Sequence, residues 1–365
     1  MDMKLTRRKF VGGMGAAALA VASGAALAGC SSSSEGGSEG SADASKEVLK
    51  LSIAAQNNSG QVFQYIAEAH GYLEEEGVEV EMQYINNGTD AFQAMSGGKV
   101  DIMSTYGTGG PLIQISQGNP YTIFAGYMIT GETPCFGKPE TEWTDLNSFV
   151  GKKIGITRFG TPDVVLKGVL YDAGILDQVE FVEYKKNQEV LQAIANGEIE
   201  FGATATGYEL QAADLGLEVK MWPDDYWHDH SCCRMLCMDE FIANEEKQEA
   251  IYRVLRAYIR AEEYMRDHMD EVVDLVVENL DLDEATVESF VKSPHMKYNI
   301  DPNKHAVFTM WDKMKAFGYI ESDDVNLEDH FNTAVYQRAI ESLVKDYPDD
   351  KYIADKMTEF ETNNL

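Results

Sequence analysis

Residues 228–237 read HDHSCCRMLC, and this run holds two of the chain's seven histidines and three of its five cysteines. Side chains alternate faces along a strand, so on a strand that begins early His228, His230 and Cys232 share a side. Those three types form an acceptable partial ligand set for zinc or iron. The finger-like pairing of C-x₂₋₄-C with H-x₃₋₅-H is missing. Cys232 and Cys233 are adjacent and point apart, so one ion does not readily take both, and a disulfide between neighbours closes a strained ring. On the same pattern Cys233, Met235 and Cys237 form a core-facing set, with Cys232, Arg234 and Leu236 opposite. Three readings stay open: buried free thiols, a disulfide, and a metal site. Arg234 is the polar member best suited to a ligand, because a guanidinium pairs bidentately with a carboxylate or sulfonate. No Ser/His/Asp set, P-loop, HExxH or paired-carboxylate motif occurs elsewhere. His70, His268, His295, His305 and His330 are scattered and read as surface or helix packing.

The first thirty residues give the address. A short basic start is followed by an uncharged Ala/Gly-rich run over 11–27, too short for a membrane span of about 20 residues. It reads as a signal peptide over residues 1–29. Leu27-Ala28-Gly29-Cys30 matches a lipobox, which makes Cys30 the lipidated N-terminus of the mature chain. Thr6-Arg7-Arg8-Lys9-Phe10-Val11 matches a twin-arginine export signal, with Gly12 where a lysine is usual. Residues 30–47, rich in Ser, Gly and Glu, read as a flexible tether. The 365-residue chain has a formal net charge of −31, and the signal segment carries four basic residues and one acid, so −34 remains beyond it. Such a surface repels nucleic acid and anionic headgroups, so no nucleic-acid partner is expected.

The elements that must position these residues begin at Val48. LKLSIAA (49–55), VEVEMQYI (78–85), VDIMST (100–105) and YTIFAGYM (121–128) read as strands. Helical runs separate them, of which QVFQYIAEAHGYLEEEG (61–77) has the clearest apolar spacing. The grammar restarts at LNSFVGKKIGIT, and Thr161-Pro162-Asp163 reads as a helix start with Thr161 as N-cap. From about residue 240 the chain is almost entirely helical. The fold class is α/β: two lobes of mainly parallel sheet flanked by helices, with a helical C-terminal portion. Lobe 1 is expected over 48–135 and 231–365, and lobe 2 is the insertion 136–230.

Several stretches resemble bacterial ABC-transporter substrate-binding proteins of the sulfonate/taurine/nitrate type, relatives of the thiamine-pyrimidine-precursor binding proteins. These are YIAEAHGYLEEEGVEVE (65–81), AMSGGKVDIM (94–103), TDLNSFVGKKIGI (144–156), VLYDAGI and AIANGEIEFGA. The resemblance covers roughly residues 48–270. It implies a two-lobed periplasmic-binding-protein (Venus-flytrap) fold that captures a small molecule and delivers it to a permease with a cytosolic ATPase. It implies no cofactor, a monomer, and a lipid anchor at the outer face of the cytoplasmic membrane. The pyrimidine synthases of thiamine biosynthesis share the fold and carry a Cys-rich iron motif near this crossing. Arg234 interrupts the corresponding run here, and an enzyme is the minor reading, as is a ligand-sensing lipoprotein.

In open α/β sheets ligands sit at the carboxyl ends of strands, where helix N-termini converge. The candidates are Asn57, Asn58 and Ser59 after the first strand, Thr89 after the second, and Tyr106, Gly107 and Thr108 after the third. In the second lobe they are Arg158, Gly160 and Thr161, then Thr206 and Tyr208. Arg234 completes the set at the cleft floor. The ligands that the resemblance implies are a sulfonate, an amino-sulfonate or a pyrimidine-like heterocycle, and Asp90 and Asp163, if both face the cleft, favour a zwitterion or a neutral heterocycle over nitrate or a bare sulfonate. Trp222, Tyr226 and Trp227 read as packing. In this architecture the two crossings between lobes run close together, which offers Cys135 to Cys232 or Cys233 as a disulfide.

Overall fold

The computed structural model describes residues 47–56, 61–280 and 282–365. The signal, Cys30, most of the tether and the Asn57–Ser59 candidates lie outside them. No helix among the described residues is long and apolar enough to cross a membrane.

The first half of the chain runs β1 (Leu49–Ala55), α1 (Val62–Ala69), α2 (Tyr72–Glu76), β2 (Val78–Tyr84), α3 (Gly88–Ser96), β3 (Ile102–Met103), α4 (Gly109–Ser116) and β4 (Tyr121–Gly126). β5 (Met128–Thr130) and β6 (Cys135–Gly137) lead to β7 (Lys153–Ile156), α5 (Thr161–Asp172), β8 (Glu180–Glu183), α6 (Asn187–Asn196), β9 (Phe201–Ala203), α7 (Glu209–Asp214) and β10 (Glu218–Met221). β11 (Arg234–Met238) follows, then α8 (Asp239–Ala243), α9 (Glu245–Asp267), α10 (Met269–Asn279), α11 (Glu284–Val291), β12 (Lys297–Tyr298), α12 (Lys304–Ala316), α13 (Ala334–Asp346) and α14 (Lys351–Asn364).

Two five-stranded sheets result, ordered β2-β1-β3-β11-β4 and β10-β6-β9-β7-β8. The βαβ stretches pair in parallel, β1 with β2 and β3, and β7 with β8 and β9. The strands at the crossings do not: β11 is antiparallel to β3 and β4, and β6 to β9 and β10. The sheets are therefore mixed, because a strand entered from the other sheet needs no helical crossover and arrives from the opposite end. Gly77 closes α2 in the left-handed region at φ 69°, where only glycine sits without strain, and it turns the chain into β2.

Each sheet is covered on both faces. α9 is the main strut of the first. Ile251, Val254, Leu255, Tyr258 and Ile259 are buried at helical spacing along it, each contributing roughly 1.5–3 kcal/mol by burial. The Asn244 side chain accepts from the Lys247 N–H at 3.1 Å and caps it. Arg256 ties α9 to α2 and α13 through Glu76 and Asp346, each at 2.8 Å. On the other face Met103, Leu112, Ile123 and Leu236 pack with Trp311 and Met314 of α12 and with Val164 and Val165 of α5. Helix α5 is thus buried against the core of the first sheet as well as its own.

The alternation expected for β11 holds in part. Cys233, Met235 and Cys237 join one core and Leu236 the other. Cys232 falls with the first group because the strand starts only at Arg234. Gly160, not Thr161, is the N-cap of α5, with φ −68° and ψ 159°, and Thr161 is already helical.

Candidate functional site

The carboxyl ends of strands from both sheets meet around a cavity of about 470 Å³. Four helices bring their first residues to it: Gly88 and Thr89 of α3, Gly110 and Pro111 of α4, Thr161 and Pro162 of α5, and Asn187 of α6. The helix dipole gives this wall a partial positive potential. A wider opening of about 1150 Å³, among α9, α10, α12 and α14, is lined by Tyr226, Trp227, His228, Met269 and Tyr352. Ile129 of β5 and Lys297 and Tyr298 of β12 also line it.

Seven of the expected ligand residues line the smaller cavity: Thr89, Tyr106, Gly107, Arg158, Gly160, Thr161 and Thr206. The Tyr106 hydroxyl donates to the Ile85 carbonyl at 2.6 Å. The Arg158 guanidinium lies 4.6 Å from the centre of the Phe159 ring and 3.3 Å from Glu183, half exposed at the rim. Phe159 holds a left-handed φ of 64°, anchored by its N–H donating to Asp163 at 2.8 Å. A non-glycine residue in that region is costly and is kept only where surroundings fix it.

The two sides of the cavity touch. A Cβ on Gly107 would lie 2.4 Å from the Thr161 hydroxyl, and one on Gly109 would lie 2.9 Å from the Phe159 carbonyl oxygen. Glycine at these positions allows the α4 and α5 starts to meet. The Thr161 hydroxyl faces Gly107 rather than capping its own helix.

Three expected residues are placed elsewhere. Thr108 is fully buried, and its N–H and hydroxyl both donate to the Cys232 carbonyl at 2.6 Å. Tyr208 flanks the start of α7 and packs on the Phe136–Leu191 cluster. Arg234 is 0 % exposed and makes no contribution to the cavity wall. Its Nε donates to the Pro302 carbonyl at 2.7 Å and its Nη1 to the Cys233 carbonyl at 3.0 Å, while Nη2 has no partner. Burial lowers its pKa to about 10. β11 runs through the sheet interior, so a side chain from it meets core and not solvent.

The histidine–cysteine run does not assemble as a metal site. His228 lines the wider opening. His230 is fully buried, with Nδ1 3.1 Å from the Trp227 carbonyl and Nε2 3.4 Å from the Gly131 N–H. Burial lowers its pKa, which favours the neutral ring, and Nε2 also lies 3.1 Å from the Gly131 carbonyl oxygen. Both nitrogens are therefore used by backbone. Cys135, Cys232, Cys233 and Cys237 are all buried free thiols. Cys135 packs with Phe149 and Phe201 under the second sheet, whereas Cys232 and Cys233 belong to a core of the first, so the expected bridge is not formed. The Sγ atoms of Cys232 and Cys233 are 3.4 Å apart at the cavity wall. A hydrogen bond from Cys233 lowers the Cys232 pKa, and that same bond with burial raises Cys233. Asp224, Asp225 and His295 do come within 4.8 Å of one another. His295 there pairs with Asp224 at 2.8 Å and stacks on Trp222.

Asp90 is exposed and absent from the wall, and Asp163 is buried in a network with Lys167 at 2.8 Å and Tyr319. Among the lining residues that the sequence did not single out are Gln56, Phe92, Thr105, Asn187 and Glu132. Gln56, Thr105 and Asn187 carry the strand-end signal used for the others. Glu132 carries none, because it lies in the GETPC crossing between sheets.

Two mixed sheets linked by crossings, with helix starts converging on a cavity between them, define a periplasmic-binding-protein fold. Residues 58–272 match the family described as NMT1/THI5 like, and the chain belongs to that family. No curated protein matches the sequence. Solved structures with the same fold include the ligand-binding component of an ABC-type import system from Staphylococcus aureus, with zinc bound. It shows 16 % identity and a TM-score of 0.66 over 80 % of this chain and 99 % of that one. The periplasmic aliphatic sulphonate binding protein SsuA from Escherichia coli shows 15 % identity and a TM-score of 0.65, covering 79 % of this chain and 99 % of its own. The periplasmic nitrate-binding protein NrtA from Synechocystis PCC 6803 shows 14 % identity and a TM-score of 0.64, with 81 % and 89 % covered.

Proposed function

We propose that the chain is an exported solute-binding protein that captures a small organic molecule in the 470 Å³ cavity and delivers it to an ABC importer. The observation that carries this reading is the convergence of four helix starts from both sheets on one cavity at the strand ends. Fixed donors there bind a polar head, while Phe92, Tyr106, Phe159 and Met128 supply apolar wall. The described halves, 48–135 with 231–365 and 136–230, act as two lobes that close by a hinge. Cys30 carries the lipid, residues 30–47 the tether, and the partners are a membrane permease and its ATPase. The ligand classes are a sulfonate, an amino-sulfonate or a pyrimidine-like heterocycle. The fold neighbours named as import components and as sulphonate- and nitrate-binding proteins support this reading.

Native mass spectrometry of the full chain tests it. An organic mass lost on denaturation, and a rise in Tm when that compound is added back, are the expected results. Absence of any binder among sulfonates, amino-sulfonates and pyrimidines would overturn the reading. A metal-sized mass would favour a pyrimidine-synthase-like enzyme instead.

A further inference from the structure

Among the described residues only two charged side chains line the cavity, Glu132 and Arg158. They differ in kind. Arg158 is half exposed and already paired with Glu183. Glu132 is 2 % exposed, and its Oε2 has no hydrogen-bond partner. The groups that face it from neighbouring elements are mostly acidic. Glu209 at the start of α7 keeps both carboxyl oxygens buried without a partner, and Asp224 keeps one. No Lys or Arg pairs with Glu132 or Glu209 among the described residues. The one base beside them, His295, is held by Asp224. The Ser293 hydroxyl and the Gly207 N–H approach Glu132 and relieve it only in part. Burial first, and then the Glu209 charge, push its pKa up to about 8.

A desolvated carboxylate without a counter-charge is expensive, and a fold normally pairs it or removes it. Here a residue of the cavity wall carries a buried carboxyl oxygen without a partner, and further acidic groups lie beside it. Resting on the cavity as the ligand site, we infer that Glu132 receives a protonated nitrogen of the ligand, so the cavity selects an amine-bearing or amidine-like compound over a bare anion. The cation supplies the partner that the chain itself lacks. The polar head of the same ligand then faces the helix starts and Arg158. Nitrate or an unsubstituted sulfonate brings no cation to Glu132, whose carboxyl then stays protonated and without a partner.

The test uses the full chain and matched pairs that differ in one nitrogen: 2-aminoethanesulfonate with ethanesulfonate, and 4-aminopyrimidine with pyrimidine. Isothermal titration is run in two buffers of different ionisation enthalpy. The nitrogen-bearing member of at least one pair is expected to bind about 30-fold or more tighter than its counterpart. At neutral pH 2-aminoethanesulfonate, already an ammonium in solution, releases close to one proton on binding as the Glu132 carboxyl ionises, whereas 4-aminopyrimidine, neutral in solution, takes that proton onto its ring and releases none. Glu132→Gln is expected to abolish both the preference and the proton release. Equal or tighter binding by the bare member overturns this inference and leaves the cavity reading intact, as does a preference that survives in E132Q. Binding by no member of either pair overturns both. The paired comparison on the unsubstituted chain decides the matter even if E132Q fails to fold.

Discussion

Arg234→Met separates a structural arginine from a ligand-binding one. Methionine keeps most of the volume and removes the charge. Two carbonyls, of Pro302 and Cys233, then lose donors at 2.7 and 3.0 Å, and each orphaned buried acceptor costs about 1–3 kcal/mol. Against this, the chain no longer buries a guanidinium whose Nη2 lacks a partner, which returns roughly 1–3 kcal/mol. The balance is a net loss on the order of 2 kcal/mol, sharpened by the buried Asp301 carboxyl nearby, one of the charges that keep Arg234 protonated. At roughly 2–4 °C per kcal/mol for domains of 150–250 residues, Tm falls by about 4–8 °C. Differential scanning calorimetry measures the fall, and titration with whichever compound the screen identifies measures affinity, which is expected to stay within about threefold. An R234M chain as stable as wild type would refute the accounting of buried acceptors. A chain of unchanged Tm that no longer bound would return Arg234 to the ligand.

Gly109→Ala places a Cβ 2.9 Å from the Phe159 carbonyl oxygen, an overpacking of about 1–3 kcal/mol that, on the proposed hinge, falls on the arrangement in which the two sides of the cavity touch. Small-angle scattering should show a more open particle and titration roughly 5- to 150-fold weaker binding, and identical scattering with unchanged affinity would exclude this contact as a closing element. Glu132 links stability to pH without ligand. Its folded pKa of about 8 lies above the ordinary 4.5, so its contribution is fully present below pH 4.5 and is lost as pH rises to about 8. Thermal unfolding between pH 5 and 9 should therefore fall more steeply for wild type than for E132Q, and parallel curves would contradict the raised pKa. Under non-reducing conditions Cys135, Cys232, Cys233 and Cys237 should resist maleimide in the native chain and all label after denaturation. Any pair that stays unlabelled and reveals itself only on reduction would mean a disulfide.

The βαβ grammar was legible because period and punctuation are local: the apolar spacing of α1, the strand alternation of β2 and the glycine that closes α2 each act within a few residues. The strand-end rule then placed Thr89, Tyr106, Gly107, Arg158, Gly160, Thr161 and Thr206 around one cavity, because a parallel βαβ unit puts its loops at one end of the sheet. Lengths and spacings of this kind belong to the sequence. Tertiary structure decided the rest. Arg234 sits on the crossing that becomes a central strand, and Thr108 on the turn before α4 bonds to that crossing, so their polar groups serve the backbone of the interior. Cys135 and Cys232 are separated by the two cores that their sheets build, a distance no spacing encodes. Glu132 acquires its raised pKa and its missing partner only when Glu209 and Asp224, far along the chain, are folded beside it. Burial and charge environment are sums over the whole neighbourhood, and a residue type alone does not carry them.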